Sequence, residues 1–562
     1  MVRRFLIALV AAAALAGPAA AAPPSLLMPD VTFHREFQFT VHGAAVVNVI
    51  EAPRPTGLYS LRPVLGRGTV QGKERLTAME KRLAPSATVA GVNGDVFAGG
   101  VNGLVLQNGV MQASPIGSRS SLSVDAAGNL ALGRIPFVGD WRGTSQRHAL
   151  SHFNHRPGAG GTVLFTPAWG GLTPANGDAV EAVLSPFPIT TANTELTARV
   201  TQILRGGNHT IPAGSAILQG RGNAGARIAA EAHVGTLVTT RLILPGGFSG
   251  AVNGIGGGPM LVRNGKALFR PDEAFATPWF VRPTARTAVG QRADGVILLV
   301  AVDGGARGYS AGMTNFEVAH ELVRLGAVTA MGLDSGPSTA MAFEGDLLNR
   351  PFRGERAIGN ALMLLYSGVQ ASPPSDGVLS PNGDTAGERE TLAYKLVRRS
   401  SVLAVVSGPG GTNVTLDSGE RQPGIYKFTW NGTESQGKLL PEGRWTWEVR
   451  ALDDLGRRSS ADRPFSLNTT LKNLAVERSG GAVLVGVDLT RPAKLTIQIE
   501  TRSGTVVRTL ASRSDDADHA AVVWNGRLKG RRRAHAGSYV VRAIATNAVG
   551  TAELTQTFRL GS

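Results

Sequence analysis

The segment DGVILLVAVDGGARGYSAGMTNFEVAHELVRLGAVTAMGLD, Asp294 to Asp334, constrains the fold more than any other stretch. A continuous apolar run ends in Asp303. Thr314 with Glu317 three positions on makes a capping box, and Phe316, Ala319, Leu322, Val323 and Leu325 form one helical side before Gly326 stops it. A second apolar run leads to Asp334. Two fully apolar strands around one helix predict a parallel pair joined by a crossover. Parallel strands end at one edge, so Asp303 and Asp334 are expected to emerge together where open α/β sheets bind ligands. Asp334 opens the turn DSGPST, whose N–H groups and hydroxyls are expected to close around an anionic oxygen. Asp and Gly are also ordinary turn residues after a strand, so this pattern alone leaves structural and functional readings open.

The rest of the stretch from residue 31 to 367 mixes both periodicities. GKERLTAMEKRLAP places Leu76, Met79 and Leu83 on one helical face, and a buried strand then ends in Asn93-Gly94-Asp95. LVLQNGVM and MLVRNGKAL centre Asn-Gly pairs between apolar residues, which predicts hairpins. The expected class is an α/β (α+β) mixed-sheet domain.

Beyond it, SGVQASPPSDG breaks every periodicity and is read as a linker over 368–377. A repeat follows. Trp430-Asn431-Gly432 matches Trp524-Asn525-Gly526, and Gly443 and Gly537 follow at equal distance. Alternating strands with turn signals predict two all-β immunoglobulin-like sandwiches, 378–468 and 469–562. Trp430, Trp445, Trp447 and Trp524 are read as core. The modules resemble the immunoglobulin-like domain of the flagellar-hook-capping family, whose pattern includes a PNGD opening (Pro381 to Asp384), the Trp-Asn-Gly turn and a later Gly before aromatic strand residues.

Residues 1–22, with Arg3, Arg4, an apolar run from Phe5 to Ala16 and small residues around Ala20, are expected to be a secretory signal peptide. The longest later apolar run is of strand length, so no membrane span is expected, and the protein is read as secreted. No cysteine is present, which excludes disulfides and thiolate metal sites. The formal charge of +16 and pI near 10.7 suit an anionic partner such as a phosphate-bearing wall glycan, although an Arg-rich proteome with solvated surface charge is the leading explanation. Nucleic acid is not expected, because basic residues are not interleaved with aromatics.

Several motifs occur in a familiar order: VNGDVF from Val92, GGGPMLVRNG from Gly256, RTAVG from Arg286, the Asp303 and Asp334 segments, and ERAIGNAL from Glu355. Together they resemble the phosphodiester glycosidase family across most of residues 31–367. The resemblance implies an exported enzyme hydrolysing a sugar C1–O–phosphate linkage in an extracellular polysaccharide or wall polymer. Its pattern carries onto Asn93, Gly94, Arg286, Thr287, Asp303, Gly304, Asp334, Gly336, Ser338, Glu355, Arg356 and Asn360. The family commonly reads Asn-Leu-Asp-Gly-Gly-Gly-Ser-Ser-Thr-Met, whereas here Gly332 replaces the Asn, Ser335 and Pro337 replace glycines, and Thr339 and Ala340 follow Ser338. Pro337 removes one N–H donor from the turn.

Phosphate is a good leaving group, so such a substrate asks for cations and N–H donors on phosphate and a carboxylate at the anomeric carbon. Asp334 leads as nucleophile or general base, followed by Asp303 and Asp95, while Glu355 is as well read as an ion-pair partner. Arg286 or Arg356 would take phosphate oxygens; Asn93 would hold a sugar hydroxyl; Gly94, Thr287, Gly304, Ser335, Gly336, Ser338, Thr339 and Asn360 complete the binding set. No cofactor or metal is indicated. His148, His152 and His155 have a spacing a zinc ion would accept on a helix, but their surroundings read as strand and hairpin. A non-catalytic glycan-binding protein of the same fold is the competing class.

Overall fold

The computed structural model describes residues 24–561 apart from 157, 159, 270–271, 376, 382–386, 435, 480–481, 503, 517 and 529–531. The expected signal peptide and most of the PNGD opening lie outside the described residues. The chain divides into two compact units: one takes residues 89–365 with the chain before residue 83, the other residues 366–562 with 83–88.

The strands that position the site in the first unit are β1 (Gly43–Ala52), β2 (Thr88–Asn93), β3 (Arg286–Arg292), β4 (Ile297–Val302), β5 (Ala327–Gly332), β6 (Met341–Phe343) and β7 (Asn360–Tyr366), with helix α1 (Asn315–Arg324) between β4 and β5. An eight-stranded sheet runs Ser25–Met28, Val31–Thr40, β1, β4, β3, β5, Met260–Arg263, Lys266–Ala267, with every neighbouring pair antiparallel.

This corrects the expected parallel pair. β4 and β5 run the same way, but β3 lies between them, pairing Arg286 with Val302 on one side and Ala288 with Gly332 on the other. Continuous apolarity reports only that both faces of a strand are covered, and a central antiparallel strand meets that condition as well as a parallel one. All six residues of β4 are buried. α1 forms as expected: Glu317 N–H donates to Thr314 Oγ1 at 3.2 Å and Thr314 N–H to Glu317 Oε2 at 2.8 Å. Its Val318, Ala319 and Leu322 pack on Val300, Ala288 and Ala330 of the sheet.

A second sheet, Asp346–Leu347, β6, β2, β7, Tyr59–Leu65, brings Asn93 and Asn360 alongside the end of β5. Further strands add a five-stranded and another eight-stranded sheet, the latter packing its apolar face on Ile228 of the helix Asn223–Glu231. With 54% strand against 8% helix, the chain is mostly β, so the mixed α/β class holds only in part. Both Asn-Gly hairpins are present. Asn108 and Gly109 have φ of 50° and 77°, Asn264 and Gly265 of 50° and 71°, the left-handed values that a tight hairpin demands.

The second unit contains two sandwiches, built from three- and five-stranded sheets and from three- and four-stranded sheets. The stretch read as a linker contributes Gln370–Ala371 to the first of them, pairing with Glu390–Leu396. Trp430, Trp445, Trp447 and Trp524 are buried in the two cores. The repeated Trp-Asn-Gly has one physical explanation in both modules. The indole N–H donates to the carbonyl three residues on (Thr433, 3.1 Å; Arg527, 2.9 Å), and the Asn Oδ1 accepts the N–H of that same residue. Gly432 and Gly526 supply φ of 78° and 71°.

Candidate active site

Asn93, the last residue of β2, is the brace on which the site is assembled. Its Nδ2 donates to the Asp334 carbonyl at 2.8 Å, and its Oδ1 accepts from Thr287 Oγ1 at 2.6 Å and from Ala340 N–H at 3.1 Å. Asp334 N–H returns to the Gly94 carbonyl at 2.9 Å, and Leu333 N–H to Thr287. Asn360 Oδ1 accepts the N–H of Asp95 at 2.8 Å, while its carbonyl accepts that of Gly94. A Cβ at Gly94 would lie 2.4 Å from Asn360 Oδ1, so only glycine allows this approach. Asn93, Gly94, Thr287 and Asn360 therefore act as framework: they tie the ends of β2, β3, β5 and β7 together and set Asp95 beside Asp334. Asn93 has no free polar atom for a sugar hydroxyl.

Asp95 and Asp334 differ in environment. Asp95 is 3% exposed; its Oδ1 accepts from Arg119 Nη2 at 2.7 Å and from Val96 N–H at 2.7 Å, whereas Oδ2 has no hydrogen-bond partner. Asp334 is half-buried, with Oδ1 accepting from Ser335 N–H at 2.9 Å. Burial raises its pKa above the ordinary carboxylate value, and the charge of Asp95 adds to the rise; the Ser338 hydroxyl, Ser335 N–H and Arg119 act against it. The two acids thus sense each other.

Arg119 and an aromatic wall were not found by sequence reasoning. The Arg119 guanidinium lies over the Phe275 ring at 4.7 Å, and Phe275 stacks on Trp279 at 5.3 Å and 22°. Glu273 anchors the approach to this wall, accepting from Ser120 N–H and Oγ and from Met260 N–H at 2.7–2.8 Å. Nothing in GSRSS singles out Arg119, but the Phe275 and Trp279 spacing in DEAFATPWF was a readable signal in a chain with only 6% aromatic residues.

The remaining expected residues separate into other roles. Asp303 lies at the same sheet edge as Asp334 but is saturated. It accepts from Asn48 Nδ2 (3.3 Å), Tyr309 OH (2.9 Å), Asn349 Nδ2 (2.9 Å) and Arg350 N–H (3.1 Å), and is 1% exposed. Gly304 is a close-packing position, since a Cβ there would meet Ala285 N at 2.3 Å. Glu355 neither joins the carboxylates nor pairs with Arg356; it accepts from Thr77 N–H (2.9 Å) and Oγ1 (2.7 Å) in the first turn of the helix Leu76–Leu83. Arg356 is exposed and makes no ion pair among the described residues.

The DSGPST turn is also not the expected anion cradle. Three of its N–H groups are already engaged, Ser335 on Asp334, Gly336 on the Ala285 carbonyl and Thr339 on the Gly336 carbonyl, and Pro337 has none. Gly336, at φ 66°, bends the chain back, and Thr339 Oγ1 is buried without a partner.

Arg286 is 2% exposed, and its Nε and Nη2 donate to the carbonyls of Met313, Trp279 and Arg282 at 2.7–3.0 Å. No carboxylate pairs with it among the described residues, Nη1 makes no hydrogen bond there, and burial lowers its pKa to about 10. A buried guanidinium without a counter-ion is costly, and the three carbonyls that receive its N–H groups offset part of that cost. His148 pairs with Glu231 at 2.8 Å while the His152 and His155 rings meet at 4.7 Å with a 37° tilt, and no group of three or more potential ligands could hold a metal ion among the described residues. No helix among them is long and apolar enough to cross a membrane.

The site thus combines a carboxylate pair, an adjoining guanidinium and an aromatic wall on a β-rich scaffold. Residues 190–365 match the phosphodiester glycosidase family and residues 473–548 the FlgD Ig-like domain, so the chain carries a region similar to the first before one similar to the second. Asp334 and Arg286 fall inside the first match; Asp95 and Arg119 precede it. SPbeta prophage-derived uncharacterized protein YomE of Bacillus subtilis is 33% identical over 120 residues, 21% of this chain and 18% of that protein. A hypothetical protein from Synechocystis has a TM-score of 0.53 at 26% identity, covering 62% of this chain and 64% of its own. The catalytic domain of zebrafish N-acetylglucosamine-1-phosphodiester alpha-N-acetylglucosaminidase has a TM-score of 0.31 at 16% identity, covering 60% of this chain and 83% of its own. The chain thus spans less than two thirds of the first two.

Proposed function

We infer that the first unit hydrolyses a glycosyl C1–O–phosphate linkage in an extracellular phosphorylated glycan or wall polymer. The observation that carries this is the carboxylate pair: Asp334, half-buried with a raised pKa, beside Asp95, which has one oxygen on Arg119 and the other unpartnered. In the reaction the bond from C1 to the phosphate oxygen breaks, the electron pair leaves with phosphate, and C1 gains the oxygen of water. Asp334 serves as nucleophile or as the base that takes the water proton, and Asp95 stabilises positive charge developing at C1. The stacked Phe275 and Trp279 offer a face to the sugar ring. The unpaired Arg286 offers a cation to phosphate.

The test is release of free sugar from a panel of chromogenic sugar phosphodiesters, run with and without chelator, by wild type and Asp334→Asn. Turnover lost in a folded Asp334→Asn supports the reading. Ligand binding without product from wild type supports the second one, a glycan-binding protein without turnover, which the engagement of most N–H groups of the DSGPST turn favours. Export belongs to the proposal as well and rests on the basic and apolar character of residues 1–22. Amino-terminal sequencing of the protein from culture medium tests it.

A further inference from the structure

The loop that carries Asp95 has a second face. Gly99 and Gly100 lie on it four and five residues beyond the carboxylate, and a Cβ at Gly99 would fall 2.4 Å from Arg156 Nη2, one at Gly100 3.4 Å from the Trp169 ring. These side chains belong to a cleft of about 420 Å³ lined by Gln71, Arg156, Trp169, Asn176 and Arg221, with Pro174 and Ala175. That volume suits one saccharide unit with a charged substituent. The guanidinium of Arg156 has no ion pair among the described residues. Arg221 holds Asp178 at 3.3 Å through a half-exposed pair that contributes little, so its charge is available to a stronger anion. Trp169 is 1% exposed and its Nε1 is without a partner. His155, the neighbour of Arg156, meets Asn102 Oδ1 at 3.3 Å on the loop that follows Asp95, which places the cleft one loop from the reacting pair.

We propose that this cleft is a second anion subsite, taking a phosphate-bearing sugar unit next to the one being cleaved. The substrate class is then a glycan with repeating phosphodiesters rather than an isolated one. The inference rests on the proposed hydrolysis only for its placement relative to the scissile bond. Two guanidiniums, with the amides of Gln71 and Asn176 in the same lining, are the donor types that phosphate oxygens take. Gly99 admits Arg156 to the loop, since a larger residue there would displace its guanidinium.

Isothermal titration of full-length Asp334→Asn, which prevents turnover, compares a synthetic trimer of glucose units joined by 1→6 phosphodiesters with methyl glucosyl phosphate, which carries one phosphate. The trimer is expected to bind on the order of tenfold more tightly, and adding Arg156→Ala or Arg221→Ala should remove most of that preference. Arg156→Lys should keep part of it. Equal affinities for the two probes, no binding of either, or a preference that survives both arginine substitutions overturns the proposal. Wild-type turnover of the single-phosphate probe separates the two readings. Turnover without an arginine-dependent preference leaves the hydrolase standing and removes the subsite, and the preference without turnover does the reverse.

Discussion

Asp303 and Asp334 close two strands that run in the same direction in one sheet and look alike in sequence, each an acid between an apolar run and a glycine-containing turn. Asp303 accepts four hydrogen bonds and is closed to solvent; Asp334 keeps access to solvent, has a raised pKa and lies beside Asp95, whose Oδ2 has no partner. The difference comes from what the following loop does. After Asp303 the chain turns back to place Tyr309 and, from far along the chain, Asn349 and Arg350 on the carboxylate. After Asp334 the turn spends its N–H groups mostly on carbonyls. A carboxylate whose lone pairs are filled is a structural joint, and one left with capacity is available for chemistry.

The largest effect expected is that of Asp334→Asn, a loss of turnover on the order of 10³-fold with little change in melting temperature. Because burial raises the pKa of Asp334, and the deprotonated form is the one that acts as base or nucleophile, activity should fall on acidification at a pH above the ordinary carboxylate range. A pH–rate profile of kcat/KM checks this, and an acid limb near the ordinary value would remove Asp334 from that role. Asp303→Asn should show the opposite balance. Its amide must turn an N–H toward a donor, either Asn349 Nδ2 with Arg350 N–H or the Asn48 and Tyr309 side, at a cost of about 2 kcal/mol in denaturant unfolding. The kcat of the folded fraction should change little.

The sequence made this contrast only half visible. Both strands, the capped helix between them and the Asn-Gly hairpins follow from local patterns, and these are legible because period and capping are local properties. The intervening β3 was hidden, since a strand's neighbours depend on contacts far apart in the chain. For the same reason the partners that separate Asp303 from Asp334 could not be read: Asn48 and Asn349 reach Asp303 from opposite ends of the domain, and Arg119 reaches Asp95 from a serine-rich stretch without periodicity. The family resemblance named Asn93, Thr287 and Asn360 as substrate-binding, and their hydrogen bonds place them together as braces of the strand ends.

Glu80 sharpens the comparison, because it too is under-satisfied yet has no access. It is 0% exposed, Oε2 accepts Gly345 N–H at 2.7 Å, and Oε1 has no partner. Burial raises its pKa to about 9, with Glu344, Glu355 and Asp346 adding to the rise. The folded state therefore holds a proton that the unfolded state releases near 4.5, so stability is fully present below that pH and declines as pH rises toward about 9. Glu80→Gln should flatten this decline without altering kcat. An unchanged slope of unfolding free energy between pH 5 and 8 would mean that other groups govern it.

The smallest effect belongs to Glu355, which the motif order grouped with the catalytic acids. Its carboxylate receives the N–H and hydroxyl of Thr77 in the first turn of the helix Leu76–Leu83, where unsatisfied N–H groups and the positive end of the helix dipole favour an anion. Glu355→Gln keeps an acceptor but loses the charge, so unfolding should cost about 1 kcal/mol less, while kcat/KM on any accepted substrate stays within about twofold. If instead turnover collapsed with stability intact, Glu355 would belong with Asp334 and Asp95, and hydrogen-bond saturation would no longer distinguish structural acids from reactive ones in this domain.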